Sequence, residues 1–238
     1  MLSKDIQDIP PARFESIEDQ VAYLHIKYFY NSLPLDVKYE LEQMKSSINQ
    51  RIKGLIIDLR GSAGGVVTDV IALADIFLSK GIISSVVTNK EKEKHAATSN
   101  ATDIELPIVI LVDAGTSSGA ELFAAALKDN QRAVVIGSNT NGRGMIHTIF
   151  TVRDDRSLMT PSGYFYTPKG RAIQNAGIKP HVCTAGMKDN SSVKGYMSYF
   201  GKKTKYCDRT LHLFKNDSTD IELGVALKML LNLEVSPI

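Results

Sequence analysis

VDAGTSSGAELFAAAL, residues 112–127, carries an apolar strand into a loop of small residues and on into a helix. Its upstream half belongs to ELPIVILVD (residues 105–113), a nearly unbroken apolar run of the kind found in strands covered on both faces. Two further segments repeat the pattern on either side. IKGLIIDL (residues 52–59) is such a strand, followed by the turn RGSAGG (residues 60–65). A helix follows, on one face of which lie Val67, Val70, Ile71, Ala74, Phe77 and Leu78, with Gly81 as its stop. AVVIG (residues 133–137) follows the helix Glu121 to Asp129. Strand, turn and helix alternating in this way predict an α/β layered structure with mostly parallel strands.

Around this centre the sequence divides further. Residues 1–20 read as a flexible lead-in, with Pro10-Pro11 breaking any regular element. YLHIKYFY (residues 23–30) reads as a strand, and Val37, Leu41, Met44 and Ile48 recur at helical spacing after Pro34. Residues 82–88 form another strand, and the charged stretch 89–103 a surface hairpin or flap. From residue 145 the pattern shortens to β segments, MIHTIFTV, RSLMT and GYFYT. The expected organisation is a core over 21–183, a polar insertion over 184–216 and a C-terminal helical segment over 217–238. That last segment holds a helix from about Ile221 to Leu233.

Composition excludes several functions. With 43% hydrophobic residues in 238, the chain can bury one good core. A formal charge of +2 is too balanced for a nucleic-acid or membrane-surface partner. No apolar run reaches the ~18 residues of a membrane span. The first twenty residues lack the apolar stretch of a secretory signal, so the protein stays inside the cell or the signal has been removed. The histidines form no metal-binding pair, and GSAGG lacks the spacing and lysine of a phosphate loop, so no metal or cofactor is expected. A disulfide between Cys183 and Cys207 is possible in an oxidising compartment, and the sequence leaves their pairing open.

Taken alone, Ser118 reads as an ordinary helix N-cap. Three segments in order change that reading: GLIIDLRGSAGG (residues 54–65), the Ser118 loop and helix, and YFYTPKGRAIQNAGIKPHV (residues 164–182). Together they resemble the C-terminal processing peptidases, or tail-specific proteases, which cut with a Ser–Lys dyad. The resemblance covers residues 20–182. It implies a core related to the Clp protease and crotonase architecture, with short C-terminal β segments and a final helix. Its substrate would be a polypeptide or a peptide C-terminus, in an extracytoplasmic compartment. Ser118 takes the nucleophile position, and Glu121 that of the acidic residue opening the helix. Ser62-Ala63 replaces the family's Asn-Pro, and His181 stands at its final Asp.

On that reading the Gly119 N–H, aided by the helix dipole, and an N–H from Gly64 or Gly65 would form an oxyanion hole. The family lysine lies in a Gly-Lys-Gly turn, which here is Gly142-Arg143-Gly144. A guanidinium stays protonated in proteins, so Arg143 cannot serve as the base; it can donate to Ser118, an oxyanion or a carboxylate. His147 replaces the glutamine that orients the lysine. Residues 143 and 147 share strand parity, so His147 is a candidate base if a bend at Gly144 brings it to Ser118. Family members commonly carry a PDZ domain ahead of this core, for which the lead-in is too short. The expected activity is serine peptidase action, weak or absent. The alternatives are a non-catalytic peptide-binding protein and, more distantly, a crotonase-like acyl-thioester enzyme. The oligomeric state is left open.

Overall fold

The computed structural model describes residues 10–46, 52–88, 91–98, 105–152, 156–185 and 220–232. Its centre is a six-stranded sheet in the order β1-β2-β3-β6-β7-β10. The strands are β1 (Ala12–Ile17), β2 (Val21–Ile26), β3 (Gly54–Asp58), β6 (Ile108–Val112), β7 (Ala133–Gly137) and β10 (Val182–Cys183). All neighbours are parallel except β1, which pairs antiparallel with β2. Part of the expected lead-in is therefore ordered. Ala12 and Phe14, two residues apart, share the face that packs on the core, and Pro10-Pro11 only precede the strand.

The apolar runs of β3 and β6 are explained by burial on both faces. Ala22, Leu24, Leu55, Ile57, Ile108 and Ile110 face a core built with α1 (Leu33–Ser46), α2 (Val67–Phe77) and α3 (Gly119–Asp129). Phe123 is fully buried there, tilted against Phe29 and edge-on to Phe77 at centroid distances of 5.6 and 6.1 Å. Val21, Ile56, Val109, Leu111 and Ile136 have the opposite parity. They face α4 (Ile221–Asn232), through Val225, Ala226, Met229 and Leu230. A Cβ on Gly54 would lie 2.6 Å from the Leu230 side chain, so α4 sits hard on the sheet.

A second, antiparallel sheet in the order β5-β4-β9-β8 stands beside the first. It holds β4 (Ile82–Thr88), β5 (Lys92–Ala96), β8 (Met145–Thr151) and β9 (Ser157–Tyr166). The two β segments expected over 156–160 and 163–167 are one strand, because Pro161 is accommodated at a bulge opposite His147. The expected flap is partly the strand β5, hairpinned on β4. The expected insertion lies outside the described residues beyond Ala185, as does Ile48. Cys183 is disulfide-bonded, and Cys207 lies outside the described residues. Among the described residues no helix is long and apolar enough to cross a membrane.

Candidate active site

Ser118, Gly64-Gly65 and Arg143 come from three loops that leave the C-terminal ends of β3, β6 and β7, where ligands bind in open parallel sheets. Polar contacts stitch the first two loops together. Asp113 Oδ1 accepts the N–H groups of Gly61, Gly115 and Thr116, each at 2.9 Å. Thr116 Oγ1 donates to Leu59 O at 2.8 Å, and the Ser117 N–H donates to Ser62 O at 2.9 Å. The turn after β3 is thereby fixed against the loop that carries Ser118.

Ser118 has φ 55° and ψ −123°, a conformation costly for a residue with a Cβ. Such strain persists only where the surroundings impose it, and strained strand-to-helix turns are where nucleophilic serines are displayed. The Ser118 hydroxyl lies toward the Glu121 N–H without making a full cap hydrogen bond, while the Glu121 carboxylate accepts the Ser118 N–H at 3.0 Å. Ser118 is half-buried, neither sealed in the core nor fully exposed.

The glycine turn lies directly against it. A Cβ on Gly64 (φ 83°) would fall 2.5 Å from the Gly119 nitrogen and 3.1 Å from the Ser118 Cβ. One on Gly119 would fall 3.3 Å from the Gly65 nitrogen. Only glycine permits this approach and this φ. Among the described residues the N–H groups of Gly65 and Gly119 donate no hydrogen bond, so both are free to meet an anion. The three glycines and Ser118 therefore share one place.

The third loop is held by Glu121, which is fully buried. Besides the Ser118 N–H, its carboxylate accepts Thr140 Oγ1 at 2.5 Å, the Gly142 N–H at 2.6 Å and the Arg143 N–H at 2.8 Å. Ser118 and Arg143 thus present their N–H groups to the same oxygen, and their backbones are neighbours. Gly144 donates to Gln174 Oε1 at 2.9 Å, and Asn175 donates to Gly142 O at 2.8 Å, which ties in the segment after β9. The Arg143 side chain is exposed and makes no hydrogen bond or ion pair among the described residues.

His147 is placed differently from the expectation. It is exposed on β8, opposite Pro161, just past the bulge between Ile146 and His147. The extra residue of that bulge is Ser162 on β9, so alternation along β8 is kept, but residue 143 precedes the strand and the parity argument does not extend to it. The sequence reading also missed the parts played by Asp113, Thr140 and Gln174. Gln174 lies in a quoted motif, which was a usable signal. Thr140 and Asp113 are polar loop residues with no local pattern to mark them.

A family model for peptidase family S41 matches residues 20–184. A carboxy-terminal-processing protease of Bartonella bacilliformis is 30% identical over 182 residues, 75% of this chain and 42% of that protein. A carboxyl-terminal-processing protease of Synechocystis is 30% identical over 160 residues, 67% of this chain and 37% of that protein. This chain spans about two fifths of the length of these relatives. Among solved structures, a photosystem II D1 C-terminal processing protease superposes with a TM-score of 0.65 at 23% identity. It covers 87% of this chain and 55% of its own.

Proposed function

This chain belongs to peptidase family S41, and on that premise we propose that its Ser118 cleft binds the ends of unfolded polypeptides and hydrolyses them slowly. Ser118 is the nucleophile, and the N–H groups of Gly119 and of Gly64 or Gly65 receive the oxyanion. The observation that carries the reading is the shared Glu121 oxygen. It supports a side chain at position 143 leaving the backbone beside Ser118, where the family dyad has its lysine. That side chain is a guanidinium, which holds its proton and cannot take one from Ser118. It stabilises negative charge instead, either the oxyanion or a chain-end carboxylate. His147, exposed beyond a bulge, has no support as a replacement base.

The test is labelling of Ser118 by a fluorophosphonate probe. Labelling and peptide cleavage by the wild type should fall roughly 10²–10⁴-fold below those of a lysine-bearing family member, the usual contribution of a positioned base. Arg143→Lys with His147→Gln should raise both together, and Arg143→Lys alone should raise them less. Vigorous cleavage by the wild type, abolished by Ser118→Ala, would overturn the slow-hydrolysis reading. The disulfide at Cys183 supports an oxidising compartment as the place of action.

A further inference from the structure

The free edges of the second sheet are unlike each other. At one end β5 carries Lys92, Glu93 and Lys94, the charged composition that keeps an edge strand from pairing with another chain. At the other end β8, MIHTIFT, has no lysine, arginine, carboxylate or proline, and among the described residues nothing pairs with its outer edge. β4 pairs with β9 only over Gly163–Tyr166, so from Ser162 outward β8 and β9 form a two-stranded arm. Opposed residues along the arm are apolar on both faces. Ile149 lies across from Met159 on one side, and Phe150 across from Leu158 on the other, each more than half exposed. A lone hairpin with an apolar surface is marginal in water and gains from a third strand.

We infer that an extended peptide joins β8 as that third strand, running antiparallel to it and ending in a free carboxylate at Arg143. Continuity selects this occupant. β8 begins at Met145, one residue after Gly144, so its edge leads from the site outward. A strand antiparallel to β8 runs the other way and delivers its C-terminal end to Arg143 and Ser118. Charge complementarity selects the end group, since Arg143 is an exposed guanidinium whose side chain pairs with nothing among the described residues. The outer edge of β9 is the poorer choice, because Pro161 removes a donor from it. Main-chain bonds along β8 supply affinity with little sequence demand. Ile149 and Phe150 favour apolar or β-branched side chains at alternate positions. This inference rests on the peptide-end reading of the site but concerns how the chain is held, not how it is cut.

The experiment measures binding by the full chain carrying Ser118→Ala, so that cleavage plays no part. The probe is a fluorescein-labelled peptide of alternating valine and threonine with a free C-terminus, followed by anisotropy. A series with one N-methyl group moved along the peptide should show a period of two. Methylation at one parity should weaken binding about tenfold or more, as loss of a main-chain bond with its steric clash implies, and at the other parity hardly at all. Amidating the C-terminus should weaken binding at least about tenfold, and should have no further effect once Arg143→Gln is added. Binding without the period of two, or no binding, would overturn strand addition. So would a dimer separated by Phe150→Lys, which would give the edge to a second copy. The peptidase reading is judged separately, by wild-type labelling, so peptide binding without periodicity leaves it intact.

Discussion

Glu121 spends its whole hydrogen-bonding capacity on donors that belong to the site. Its oxygens accept the N–H groups of Ser118, Gly142 and Arg143 and the Thr140 hydroxyl, with no water to replace any of them. Glu121→Gln preserves the shape but turns one acceptor into a donor facing N–H groups. The expected cost is about 1–3 kcal/mol, the penalty for buried donors left without an acceptor. In a chain of this size that is a fall of roughly 2–12 °C in the thermal midpoint. Fluorophosphonate labelling should fall with it, and labelling unchanged in a folded Glu121→Gln protein would refute the tie between the loops. His181 offers a pH test at the same scale. Its backbone N–H donates to Val135 O at 2.7 Å, and its ring Nδ1 accepts the Val135 N–H at 3.0 Å. Burial, and after it Lys128, pushes the imidazole pKa down to about 4. The unfolded value is about 6.5, so between the two the unfolded chain binds more protons and stability falls as the pH drops. The residue as a whole is exposed, with its ring edge against Val135, so solvent screening keeps the effect modest. The difference in midpoint between wild type and His181→Asn should shrink over that interval, and a constant difference would dismiss the imidazole as its source.

Among the elements, the glycine turn after β3 gives the most selective test. Gly61 and Gly64 both have positive φ, 68° and 83°, but a Cβ on Gly61 meets nothing within 4 Å, whereas one on Gly64 meets the Gly119 nitrogen. Gly61→Ala should therefore cost only the left-handed strain of about 1–2 kcal/mol and leave labelling of Ser118 in place. Gly64→Ala adds a clash with backbone and should push the turn off Ser118, abolishing labelling. Equal labelling of the two variants would mean that the turn takes no part in the site.

At the scale of the whole molecule, one polar network joins the site side of the sheet to the helix on its far face. Arg60, directly before the glycine turn, pairs with Asp58 at 2.5 Å, with Asp220 at 2.7 Å and with Glu222 at 3.5 Å. Tyr23 donates to Asp58 at 2.7 Å, and Thr184 donates to Glu222 at 2.9 Å. Burial opposes the guanidinium charge, but the hydrogen bonds to Asp58 and Asp220 outweigh it and raise the Arg60 pKa. Arg60→Met would leave these carboxylates without their cation. We expect a loss of about 3–5 kcal/mol and faster amide exchange in Ile221–Asn232, since the network clamps the start of α4. Exchange in that helix unchanged from wild type would show that its apolar face alone holds it.

The sequence by itself determined the layered fold, because burial on both faces of a parallel sheet leaves apolar runs such as GLII and IVILV, and these alternate with turns and helices. It also determined β4 and β7 to the residue, where turn chemistry and periodicity agree, while the helix expected from Glu121 begins two residues earlier, at Gly119. The strand at Ala12–Ile17 was illegible, since its pairing with β2 comes from a partner and not from its own weak pattern. Of the site, Ser118, Arg143 and the glycines could be picked out as residue types at telling positions. Their meeting could not, because Gly64 and Ser118 lie on different strand ends and touch only when β3 and β6 pair. Only tertiary structure decided that Glu121 binds both Ser118 and Arg143, through side-chain reach across a loop with no periodicity. The same holds for His147, since β8 begins only at Met145 and strand parity does not reach back to Arg143.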